Sequence, residues 1–151
     1  MPRFSFPFDE KLIPTDGIYI LFEKEEKAHG GERIVRVGTH TGESQLRSRL
    51  KQHFVTENKD RSIFRKNIGR ALLSKTKDPY LDVWELDFTT RAAKAKSGKL
   101  IDGQKQREIE REVTKYLQDN FFFIVIILNS FFLLQLKSYR SGKFCSFTAR
   151  S

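Results

Sequence analysis

Three residue types fall in the same short stretch of this 151-residue chain: Tyr19 in Gly17-Ile18-Tyr19, Arg36 in Arg36-Val37-Gly38, and the pair Arg49-x-x-x-His53. Arginine takes two oxygens of a phosphate at once through a planar guanidinium that stays charged at every relevant pH. Arg49 is therefore the candidate for a phosphate contact. His53, one helical turn on, falls on the same face as Arg49, so both side chains can serve one site. A phenol is a poor base at neutral pH and becomes a useful one where cationic groups favour its phenolate. Arg36 and Arg49 are placed to supply that field at Tyr19. Together the four suit cleavage of a phosphodiester, which needs an activated water, a base and positive charge at the phosphate.

The charge distribution agrees. Residues 33 to 77 hold twelve basic residues against three acidic ones, an excess equal to the whole formal charge of +9. A polyanion is steered to that segment, where each phosphate neutralised releases counterions. Arg36, Lys51, Arg61, Arg65, Lys66 and Arg70 are the candidates for nucleic-acid contacts. The alternative is a solvated basic face that keeps the protein in solution. Base stacking of the kind used by RNA-binding proteins ranks last, because Phe54 and Phe64 are the only aromatics among residues 33 to 77.

The elements that must position these residues give an α/β chain of the α+β type. Residues 17–22 and 33–37 are short apolar runs that read as an antiparallel hairpin with a long charged loop over Glu23–Glu32. Ser44 is read as the N-cap of a helix carrying Leu46, Leu50, His53 and Phe54 at helical spacing. Ser62 caps a second helix bearing Ile63, Phe64, Ile68, Ala71 and Leu72, which Asp78-Pro79 ends. Leu81–Phe88, with the single tryptophan Trp84, is a third strand candidate, and 89–103 a mobile connection. Gln104–Gln118 is a third helix with Ile109, Val113, Tyr116 and Leu117 on one face. Glu108, Glu110 and Glu112 lie at different angles around it, so only one points at a strand end. The expectation is a small three-stranded antiparallel or mixed sheet flanked by helices.

Size and composition suit one domain with a core of its own. The lone Cys145 forms no internal bridge, and the N-terminus has no long apolar stretch, which points to a soluble, cytoplasmic protein. From Phe121 the composition changes, with seven of the fourteen phenylalanines between 121 and 147. Residues 121–128 read as a buried strand, since the apolar run to Leu134 is shorter than the roughly 20 residues a bilayer needs. The domain is thus expected over 1–125, with 126–151 an atypical segment, truncated or shifted in reading frame beyond about residue 124.

Gly17-Ile18-Tyr19, Arg36-Val37-Gly38 and Leu46-x-x-Arg49-Leu50-x-x-His53 together resemble the GIY-YIG nucleases over about residues 9 to 125. Arg33–His40 and Arg61–Leu73 further resemble a bacterial branch of GIY-YIG domain proteins without assigned substrates. The resemblance implies a DNA endonuclease using water and a divalent ion, magnesium or manganese, to leave a 5′ phosphate and a 3′ hydroxyl. It also implies one metal-binding glutamate on a later helix, for which Glu110 in Arg107–Leu117 fits best, with Glu108 and Glu112 as fallbacks. Arg36 stands where the family's second tyrosine belongs, so a proton relay there falls to His40 or His53. The other reading is a nuclease-like domain that binds nucleic acid and has lost its chemistry. Neither membrane nor small-molecule cofactor is implied.

Overall fold

The computed structural model of the chain describes residues 1–127; the expectations for 128–151 lie outside the described residues. The strands are β1 (Arg3–Ser5), β2 (Ile18–Ala28), β3 (Gly31–Gly38) and β4 (Phe121–Ile126), and the helices α1 (Leu46–Phe54), α2 (Ile63–Thr76), α3 (Leu81–Glu85), α4 (Arg91–Ser97) and α5 (Gly103–Asn120). One four-stranded sheet runs in the order β1-β4-β2-β3, antiparallel throughout. The last strand therefore inserts between the first two, closing the domain on itself.

Alternation decides what β2 presents. Tyr19 and Leu21 are fully buried, whereas Ile18 and Ile20 are only half-buried, as period-two geometry requires of a sheet covered more closely on one face. In β4 the matching residues are Phe121, Phe123 and Val125. Phe123 meets Phe54 of α1 at 5.6 Å between ring centroids, and Phe121 meets Phe64 of α2 edge-on at 5.3 Å. On the opposite face Phe22 and Phe122 stack at 5.0 Å. Aromatic pairs in these arrangements add roughly 0.5–1.5 kcal/mol beyond their area. The helical layer is held by α1 through Leu46, Leu50 and Phe54, and by α5 through Ile109, Val113 and Leu117, all buried.

Several sequence expectations change. The Glu23–Glu32 loop is mostly strand: β2 and β3 continue to a tight turn at His29-Gly30, both at positive φ (51° and 78°), the conformation that two-residue hairpins favour. Leu81–Phe88 is no strand; it begins with the short helix α3. Asp78-Pro79 was read as the end of α2, and it also starts α3: the Asp78 carboxylate accepts from Tyr80 N–H, and the Asp78 carbonyl from Leu81 N–H. Short apolar runs do not separate buried strand from buried helix. The third strand position belongs to β4, and β1 adds a fourth. Residues 89–103 contain α4 and a 3₁₀ turn at Gly98–Leu100. Ser44 does not cap α1; its N–H donates to Asp16 Oδ1, and Leu46 N–H is satisfied by the Thr15 carbonyl.

Two glycines show how the site is fitted. Gly38 lies opposite Tyr19 in the β2–β3 ladder, and a Cβ there would sit 2.3 Å from the phenol oxygen. Only a residue without a side chain lets the tyrosine lie across β3. Gly69 on α2 does the same for Trp84, whose ring would lie 2.2 Å from an added Cβ and whose Nε1–H donates to the Lys66 carbonyl.

Candidate active site

Tyr19, from the middle of β2, is 0% exposed, and its hydroxyl is 2.7 Å from Nε2 of His53 on α1. Arg36, from the neighbouring strand β3, donates through Nε to the same oxygen at 3.4 Å. Ser62, the N-cap of α2, accepts from Arg65 N–H and lies 2.7 Å from His53 Nδ1. One line of contacts, buried from Tyr19 to Ser62, thus joins β3, β2, α1 and α2: Arg36, Tyr19, His53, Ser62.

His53 carries no positive charge here. Burial, followed by the Arg49, Arg36 and Arg65 guanidiniums, brings its pKa down to about 2. Three arginines therefore converge on one neutral imidazole. Arg65 has an anion of its own, whereas Arg36 and Arg49 have no acidic partner among the described residues. Arg49 instead donates through Nη1 to Gln52 Oε1 and the Arg61 carbonyl, each at 2.9 Å. It lines a cleft of about 280 Å³ with Thr39, His40, Thr41, Gln45, Ser48 and Gln52.

His40 is in that cleft but outside the buried line. Its Nε2 accepts from Gly17 N–H at 3.3 Å, so its Nδ1–H donates to the Gly42 carbonyl at 2.8 Å. The Asp16 carboxylate lies 3.4 Å from Nε2. Both ring nitrogens therefore serve to brace the turn after β3.

Two expectations need correcting. Arg65, placed by its sequence among the nucleic-acid contacts, is 0% exposed and donates through Nε and Nη2 to Glu110 Oε2 at 3.2 and 2.7 Å. It also donates to the carbonyls of His53 and Glu110 and to Thr114 Oγ1. The three nitrogens of the group make five contacts, all inside the protein, and none of the group reaches solvent. Glu110 for its part is 3% exposed, and its other oxygen, Oε1, accepts from Lys59 N–H. It borders a different cavity, of about 210 Å³, with Lys59, Asp60, Phe88 and Arg107. The residues at Glu110 do not fit a divalent ion: a guanidinium already neutralises the carboxylate, and a backbone amide and that guanidinium occupy its oxygens. Among the described residues no group of three or more His, Cys, Asp or Glu can hold a metal.

The remaining basic candidates divide. Lys51 pairs with Glu10 at 2.8 Å, Arg70 forks onto both Glu85 oxygens at 2.5 and 2.7 Å, and Lys66 reaches the Glu85 carbonyl. Arg61 is exposed and, like Arg36 and Arg49, has no acidic partner among the described residues. Ser62 was legible from sequence only as a helix cap; its contact with His53 depends on how α1 and α2 meet, which spacing does not reveal.

No described helix is long and apolar enough to cross a membrane. No curated protein and no solved structure matches the chain. The family described as GIY-YIG domain does match, over residues 7–130, a span that takes in the tyrosine on β2, the glycine opposite it and the arginine helix beside them: the chain belongs to the GIY-YIG family.

Proposed function

We propose that the protein is an endonuclease that hydrolyses phosphodiester bonds in DNA, leaving a 5′ phosphate and a 3′ hydroxyl. Membership of the family gives a nuclease-type function with nucleic acid as the substrate class. The observation that carries the finer reading is the pair of guanidiniums on Arg36 and Arg49. Neither has an acidic partner among the described residues, and both bear on the Tyr19–His53 pair. Unpaired arginines beside a hydrogen-bonded phenol form a receptor for a phosphate, and the charge that develops on its oxygens strengthens those contacts.

In this reading Arg49 and Arg36 hold the phosphate, with Arg61 exposed near them for the flanking backbone. Tyr19 handles protons at the reacting phosphate. His53, neutral, orients the phenol and carries no charge of its own. His40 shapes the cleft wall. GIY-YIG nucleases generally depend on a divalent metal, so magnesium or manganese is the ion to supply; the Glu110 carboxylate, engaged by Arg65 and the Lys59 amide, is not assigned to it in this reading.

The test is nicking of supercoiled plasmid by the purified chain in magnesium or manganese, with EDTA and Arg49→Ala alongside. Nicking that disappears in Arg49→Ala is the expected result; nicking that survives it refutes the assignment. One observation favours a second reading, a domain that binds nucleic acid without cutting it: Tyr19 is wholly buried. Retention of labelled DNA with no nicking under any ion selects that reading.

A further inference from the structure

The buried line through His53 holds one hydrogen more than its acceptors can take. Tyr19 Oη and Ser62 Oγ each lie 2.7 Å from one nitrogen of the His53 ring. Each of these oxygens also receives an N–H, from Arg36 Nε at 3.4 Å and from Arg65 N at 3.2 Å. All three residues of the Tyr19–His53–Ser62 chain are 0% exposed. A neutral imidazole carries one N–H and one lone pair, so it accepts from one hydroxyl and must donate to the other. Among the described residues neither hydroxyl has another acceptor. One hydroxyl hydrogen is therefore left over, and the tautomer of His53 decides which.

The surroundings of the two ends differ. Ser62 is closed in at the start of α2, its oxygen already occupied as a cap, and its hydrogen has nowhere to turn except His53 Nδ1. Tyr19 Oη lies against partly exposed Gly38 and beside the guanidinium of partly exposed Arg36. An anion drawn to Arg36 and Arg49 brings an acceptor oxygen to that end and to no other. An unsatisfied hydroxyl at Ser62 is desolvated with no approach for an acceptor, whereas the Tyr19 end borders half-exposed Gly38 and Arg36, the side from which an oxygen of water or of an anion can come.

We propose that Ser62 is a positioning residue: its hydroxyl donates to His53 Nδ1 and fixes the Nε2–H tautomer. Tyr19 Oη then becomes the acceptor of two N–H groups, and its own hydrogen is presented to an acceptor oxygen of the bound nucleic acid. The identity of that outer acceptor rests on the nuclease reading; the tautomer does not.

The experiment uses the full chain labelled with ¹⁵N-histidine, with His53 assigned by the loss of its signals in His53→Gln. Long-range ¹H–¹⁵N correlation at neutral pH is expected to show His53 as the Nε2–H tautomer. In Ser62→Ala the only remaining hydroxyl donor is Tyr19, and His53 is expected to switch to Nδ1–H; Ser62→Thr, which keeps both hydroxyl and cap, retains Nε2–H. In plasmid nicking, Ser62→Ala should lower kcat roughly a hundredfold, the lower end of what positioned proton transfer supplies, with KM unchanged and Ser62→Thr restoring it. An Nδ1–H tautomer in the unmodified protein overturns the proposal, even if Ser62→Ala does not fold. So does an unchanged tautomer in a folded Ser62→Ala. Absence of nicking by the unmodified protein defeats the nuclease reading instead, and the tautomer still decides the role of Ser62.

Discussion

Replacing Glu110 by alanine is expected to unfold the protein at a much lower temperature, whether or not any metal is present. The carboxylate accepts two charge-assisted bonds from Arg65 on Oε2 and the Lys59 amide on Oε1. Hydrogen bonds to charged groups contribute about 1.5–3 kcal/mol each, and removing one partner of a buried ion pair costs about 3–5 kcal/mol because the other charge is stranded. Arg65 keeps its bonds to the His53 and Glu110 carbonyls and to Thr114, which limits the loss. A value of about 4 kcal/mol follows, which for a chain of this size lowers Tm by roughly 10–15 °C. Urea unfolding followed by Trp84 fluorescence, in EDTA, measures it directly. Because the pair is buried, the loss should persist at high salt. Pairing Glu110→Leu with Arg65→Met should cost at least about 1.5 kcal/mol less than the two singles added, since neither charge is then left alone. The reasoning fails if Glu110→Ala in EDTA is within about 1 kcal/mol of the unmodified protein. A free metal-ligand carboxylate gives that second result, with stability rising on addition of the ion and no such rise in the variant.

Three further outcomes follow from the same contacts. His53 titrates near 6.5 when unfolded and near 2 when folded, so between those values the unfolded chain binds one more proton. Its contribution is complete above about pH 6.5 and falls by about 1.4 kcal/mol per pH unit below that, roughly 2 kcal/mol by pH 5. Urea midpoints between pH 5 and 7.5 should show this slope and lose it in His53→Gln; equal slopes in both proteins contradict it. Gly38→Ala should displace the Tyr19 ring, cost about 1–3 kcal/mol and suppress nicking; full activity in a folded variant argues against any role for the phenol. Gly69→Ala, on α2 under Trp84, should cost a similar amount and shift Trp84 emission while leaving the pH slope of His53 intact.

Much of the frame was legible because it rests on local pattern. The α1 spacing Leu46, Leu50, His53, Phe54 and the α5 spacing Ile109, Val113, Leu117 bury as periodicity requires, and Tyr19 alternates against Ile18 and Ile20 as a strand must. What sequence could not carry was long-range pairing. Arg65 and Glu110, 45 residues apart, looked like a surface cation and a free carboxylate until α2 and α5 came together. Trp84 looked like a strand residue because its apolar neighbours have no helical length, and the glycine it packs on lies 15 positions earlier. His40 was read as a proton carrier from its nearness to Gly38, but the fold uses both its nitrogens to brace backbone.

The three-residue turn Lys59–Arg61 is held from both sides. Its last carbonyl accepts from Arg49, the residue offered to a phosphate, and its first amide donates to Glu110, the anion of the buried pair. Whatever grips Arg49 therefore pulls on, or steadies, the same short segment that anchors the core. Binding and folding share that segment, so occupancy of the cleft is readable as heat resistance. A nucleic acid present at a hundred times its Kd adds about 2.7 kcal/mol to the folded state. The melting curve can thus screen substrates in conditions where no strand is ever cut.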